Sequence, residues 1–121
     1  MTTTTQQDWT QGHWGKFAPQ FGGGPKFITP DFFDAVEVDG DLRTLTKLDG
    51  SERFVLDIQE GAYLGNDLVA WDVQVKTPEG KWTVASYGDV DAGEVSSQRL
   101  SEILADLIRM RGWTEEEILE D

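Results

Sequence analysis

The sequence predicts an α+β fold: an antiparallel sheet of three to five strands, a C-terminal amphipathic helix packed on one face, and an extended aromatic, glycine-rich N-terminal arm. Three observations predict it. Short runs with period-two alternation fill the middle of the chain, one long apolar stripe of helical period lies near its end, and glycine and proline crowd its first 28 residues. At 121 residues and 38% hydrophobic content, the chain suits one soluble domain over 29–121.

Residues 1–28 read as an arm, flexible or docked. Gly12, Gly15, Pro19, Gly22, Gly23, Gly24 and Pro25 interrupt any helix or regular strand. Trp9, Trp14, Phe17, Phe21 and Phe27 nevertheless give the arm rings that gain most when buried. Two destinations follow: the core of the same domain, or a neighbouring subunit or other protein, reached about a Gly22–Gly24 hinge. Thr29, Pro30 and Asp31 have the order of a helix N-cap, first position and first turn, with Phe32, Phe33 and Val36 facing inward. Residues 35–38 fit the start of a strand equally well.

Asp39, Gly40 and Asp41 form a turn, Arg43–Thr46 favours a strand, and Asp49, Gly50 and Ser51 form a second turn. Phe54, Leu56 and Ile58 then alternate with Val55, Asp57 and Gln59, which is the period of a half-buried strand. Residues 59–67 read as a polar loop around Tyr63 and Leu64. The next strand sets Val69, Trp71, Val73 and Val75 against Ala70, Asp72 and Gln74. Thr77, Pro78, Glu79 and Gly80 make a tight hairpin, because proline presets the first corner and glycine supplies a left-handed position. The return strand over 81–87 puts Trp82, Val84 and Ser86 opposite Thr83, Ala85 and Tyr87, and residues 88–93 read as a loop.

Ser96 or Ser97 caps the helix that follows. Leu100, Ile103, Leu104, Leu107 and Ile108 form its apolar stripe, and Glu102, Asp106 and Arg109 its wet face. Arg109 and Arg111 complement the dipole in the last turn, and Gly112 terminates it. Thr114 with Glu117 has the spacing of a capping box, so 114–119 forms a final short turn.

Charge narrows the function. The net charge is −13, and it is uneven: Lys16 and Lys26 face only Asp8 up to residue 29, whereas residues 30–121 carry 8 Lys/Arg against 22 Asp/Glu. Such a body repels a polyanion, which argues against direct nucleic-acid binding. The arm adds rings for base stacking but only two lysines beside them. No apolar run approaches a membrane span, and the N-terminus lacks the basic and apolar regions of a signal peptide, so a cytoplasmic location is expected.

Cysteine is absent and His13 is the only histidine, which removes thiol chemistry, thiolate zinc sites and a well-placed Ser–His pair. Glycines 22–24 before Pro25 and Lys26 lack the helix and Lys-Ser/Thr of a phosphate loop. Glu37, Asp39 and Asp41 cluster about one turn and Asp89, Asp91 and Glu94 about another, without the ligand order of an EF-hand. No cofactor, metal or catalytic residue is expected, and the chain does not read as an enzyme.

The leading expectation is a non-catalytic module whose acidic body meets a basic surface on a partner protein, in its sharpest form a DNA mimic that inhibits a nucleic-acid-binding protein. The partner-binding candidates are Glu37, Asp39, Asp41, Asp89, Asp91, Glu94, Glu115, Glu116 and Glu117 on the body, with Trp9, Trp14, Phe17 and Phe21 on the arm. One alternative is a structural or assembly subunit that homo-oligomerises by exchanging the arm. A second is a small-ligand-binding domain with a pocket near Trp71, Trp82 and Tyr87.

Overall fold

The computed structural model describes residues 27–28, 32 and 34–120. The arm candidates Trp9, Trp14, Phe17 and Phe21, along with His13 and the helix start at Thr29–Asp31, lie outside the described residues. The described residues form two compact units, one containing residues 96–119 and the described residues up to Ala35, the other spanning Val36–Val95.

The second unit is a five-stranded antiparallel meander in the order β1-β2-β3-β4-β5. Its strands are β1 (Val36–Asp39), β2 (Leu42–Thr46), β3 (Glu52–Tyr63), β4 (Asn66–Lys76) and β5 (Trp82–Gly93). Residues 36–38 thus take the strand alternative. The second turn closes as the sequence implies: the Asp49 carboxylate accepts from Ser51 N–H at 2.8 Å and from Ser51 Oγ at 2.6 Å. In the β4–β5 hairpin, Gly80 N–H donates to Thr77 O at 2.8 Å and Thr77 N–H to Lys81 O at 2.7 Å.

Two expected loops are strand instead. Residues 59–67 are not a loop: β3 continues to Tyr63 and β4 begins at Asn66. The reversal needs only Leu64 and Gly65, both with positive φ, 51° and 87°. Two-residue hairpins of this type ordinarily carry Asn-Gly, and a leucine in the left-handed region gives no turn signal. Likewise residues 88–93 complete β5.

Pairing Leu45↔Phe54↔Val73 and Leu56↔Trp71 places Val36, Leu45, Phe54, Leu56, Ile58, Val69 and Val73 on one face, and all seven are buried. Trp71 lies on this face over β5, where a Cβ built on Gly88 would meet its Cζ2 at 2.6 Å. A side chain at position 88 has no room while that ring stays.

In the first unit, helix α1 spans Ser97–Arg111. Ser96 is the cap: its Oγ accepts from Arg99 N–H at 3.1 Å. At the other end Trp113 N–H donates to Ile108 O and Gly112 N–H to Arg109 O, a Schellman closure with Gly112 at φ 74°. The buried stripe is wider than the leucine and isoleucine positions alone, because Ser101 and Ala105 join it. Ser101 is tolerated there since its Oγ donates to Gln98 O at 2.7 Å. Trp113 is buried next to the helix end in sequence. A 3₁₀ turn over Glu115–Glu117 follows, opened by Glu117 Oε2 accepting from Thr114 N–H at 2.7 Å. Phe27 and Phe32 stack tilted, with centroids 6.0 Å apart, and Ile28 and Phe32 are buried.

Candidate functional site

The alternation that buries Phe54, Leu56 and Ile58 turns the intervening residues to the opposite face of the sheet. Along β3 these are Arg53, Val55, Asp57 and Gln59, all half-buried. Register carries the face across the sheet. Asp39 pairs with Leu42, Leu42 with Asp57, Asp57 with Ala70 and Ala70 with Asp89, so Asp39, Asp57 and Asp89 share one cross-strand row. The neighbouring row runs Glu37, Thr44, Val55, Asp72, Tyr87, and the row on the other side runs Gln59, Leu68, Asp91.

Six carboxylates therefore occupy one accessible sheet face. Neighbouring strands lie ~4.8 Å apart, so acids two strands apart in a row stand roughly 10 Å from each other, and Asp89 and Asp91 are separated by ~6.7 Å along β5. Among the described residues none of the six pairs with a lysine or arginine. Amides hold three of them instead: Gln59 Nε2 donates to Asp57 at 3.2 Å, Gln74 Nε2 to Asp72 at 3.3 Å and Asn66 Nδ2 to Asp91 at 3.2 Å. These neutral donors orient the carboxylates and leave their charge uncompensated.

The cations on this face are engaged elsewhere. Arg53 lies 4.2 Å from the Trp82 ring centroid and Lys76 Nζ 5.4 Å from it. Arg53 Nε also donates to Gln74 Oε1 at 2.7 Å. The face is thus divided, with a tryptophan flanked by two cations at one end and the acids at the other.

Register irregularities make this grouping possible. Val73 pairs with Ser86 but Gln74 with Val84, so Ala85 is an extra residue that inverts the alternation of β5. Strict alternation would set Trp82 opposite Tyr87, whereas the inversion brings both, with Asp89 and Asp91, onto the accessible face. Trp71 faces the other way, so the three rings expected to line one pocket do not share a face.

Of the sequence candidates, Glu37, Asp39, Asp89 and Asp91 come together on this face. The turn clusters do not form as expected: Glu37 and Asp39 belong to β1 and Asp89 and Asp91 to β5, with Asp41 in the turn after β1 and Glu94 beyond the end of β5. Glu115 and Glu116 are exposed in the other unit, and the Glu117 carboxylate is committed to Thr114. Asp57 and Asp72 were not among the candidates. Alternation already places each on a polar face, but only cross-strand register shows that the polar faces of β1, β3, β4 and β5 coincide.

No group of three or more histidine, aspartate or glutamate side chains among the described residues is arranged to hold a metal ion. Carboxylates two strands apart stand too far from one another for ligand distances of ~2.0–2.6 Å to a common ion. Beyond the end of the acidic rows, Asp67 accepts Val95 N–H and Gly61 N–H, each at 2.9 Å. Those two bonds, Val95 first, hold its carboxyl below the usual aspartate range. No helix among the described residues is long and apolar enough to cross a membrane. Comparison with protein-family models, with curated proteins and with solved structures finds no match to this chain.

Proposed function

We propose that the protein is a non-catalytic interaction module whose acidic sheet face binds a basic surface on a partner protein. One observation carries this reading: Glu37, Asp39, Asp57, Asp72, Asp89 and Asp91 share a face on which, among the described residues, the cations Arg53 and Lys76 are drawn to Trp82. Uncompensated like charges repel one another, so the arrangement gains when an opposing cationic surface arrives. A sheet fixes the separations between its carboxylates better than a loop does. That rigidity supports the narrower form of the reading, in which the face occupies the phosphate-binding site of a nucleic-acid-binding protein.

The test is capture of basic proteins from a lysate by the full chain at low and high salt, beside the variant Asp57→Asn, Asp72→Asn, Asp89→Asn. Captured proteins that leave at high salt and are lost by the variant support the proposal. Capture unaffected by both changes would sink it. Displacement of DNA from the captured protein at matched stoichiometry distinguishes mimicry from simple charge pairing.

A further inference from the structure

The sheet has two dissimilar edges. Strand β1 offers four residues, whereas β5 offers twelve. Strand β5 pairs only with β4, and no backbone hydrogen bond among the described residues reaches its outer side. Among the described residues the outer N–H and C=O groups of this edge find no backbone partner, and such a row accepts an added strand.

The register limits where. The extra residues Ala85 and Ala92 interrupt β5, and between them residues 86–91 pair with β4 without a break, from Val73↔Ser86 to Leu68↔Asp91. Only this six-residue window has the regular geometry that an added strand extends. On its accessible face the window presents Tyr87, 79% exposed, then Asp89 and Asp91, both exposed.

We infer that this window is the docking edge for an extended basic segment of the partner, which joins the sheet as a sixth strand beside β5. The inference rests on the proposed binding of a basic surface and names how that surface is held. Side chains on facing positions of paired strands stand ~4.5–5.5 Å apart. Lysines or arginines two residues apart in the segment would thus meet Asp89 and Asp91 together, with an apolar residue beside Tyr87.

The same charges disfavour the other occupants. A second copy would bring another −13 chain and another pair of aspartates to the edge. A neutral strand would leave the aspartates unanswered.

The test uses the isotope-labelled full chain and two short capped peptides of alternating lysine and threonine or valine. One peptide is N-methylated at alternate residues, which removes backbone donors and keeps every charge. The expected result is amide shifts centred on residues 86–91 with the plain peptide, binding about tenfold or more weaker with the methylated one, and a weaker salt dependence in Asp89→Asn, Asp91→Asn.

Equal binding of the two peptides would overturn the edge inference while leaving the acidic-face reading intact. So would capture of a basic partner by a chain whose 86–91 amides do not move. If those amides change on dilution without peptide, a second copy occupies the edge. If they change on deletion of residues 1–26, the chain's own N-terminus does. Either result refutes the assignment. Failure of both the peptides and the lysate capture would bring down the two readings together.

Discussion

Strand β3 presents two different chemistries on one backbone. Phe54 and Leu56 are fully buried and Ile58 is 8% exposed, while Arg53, Val55, Asp57 and Gln59 between them remain half-accessible. The ladder hydrogen bonds are the same for both sets, so the difference lies wholly in side chains. One face has its composition set by packing, and the other is free to carry charge without cost to the core. Substitutions on the two faces should therefore separate stability from binding. The largest effect belongs to the packed face: Leu56→Ala should cost about 3–4 kcal/mol in denaturant unfolding. The fraction still folded should bind basic partners as before, and a parallel loss of affinity in that fraction would break the distinction between the faces.

The next effect is found where one face leans on the other strand's backbone. Gly88→Ala drives a methyl group into Trp71 and should cost about 1–3 kcal/mol by overpacking. Trp71→Phe in the same chain should recover part of that loss, because the smaller ring vacates the space above position 88. A double-mutant cycle with additive losses would show that the cost at position 88 does not come from the Trp71 ring.

Turn chemistry gives an effect of opposite sign. Leu64 is 89% exposed and holds a left-handed conformation with φ 51°, which strains any residue but asparagine or glycine least. Leu64→Asn should stabilise the hairpin by about 1 kcal/mol, read as a raised melting temperature. This residue also marks how far the fold was legible. Helix α1 starts after Ser96 and ends before Gly112, within the limits its sequence sets, because stripe, cap and terminal glycine all agree. The β4–β5 hairpin is equally explicit through Thr77, Pro78 and Gly80. The β3–β4 reversal was hidden because strain at Leu64 replaces the usual Asn-Gly signal, and the full length of β5 because Gly88 and Gly93 look like loop. The acidic face was half legible. Composition located charge in the body, but Asp57 and Asp72 join Glu37, Asp39, Asp89 and Asp91 only through non-local register, and the inversion at Ala85 carries no local mark at all.

On the accessible face, Asp57→Asn with Asp72→Asn should change stability by less than about 0.5 kcal/mol. Both asparagines keep an acceptor for Gln59 and Gln74, and removing two like charges offsets small losses. Binding of a basic partner should nevertheless fall and become less sensitive to salt. A clear loss of stability would mean that the acids support the fold, and the contrast between the faces would then weaken.

The most local effect concerns acid. Asp67 joins Gly61 N–H to Val95 N–H, and Asp49 closes the turn at Ser51, so both carboxyls are held below the usual aspartate range, near 3.9. Their contribution is fully present above that range and is lost as pH falls through the lowered folded values, because the unfolded chain takes up protons first. Melting of the natural chain against pH reads both carboxyls together, but the difference from Asp67→Asn isolates one. Asparagine offers one acceptor oxygen to two N–H groups and turns a donor toward the other, so the variant should melt lower near neutrality and converge on the natural chain below about pH 4. Asp49→Asn should behave alike and independently, because the two sites flank opposite ends of a twelve-residue strand, roughly 35 Å or more apart along it. Differences that stay constant down to low pH would show that the hydrogen bonds, and not the charge they stabilise, tie these ends of the sheet together.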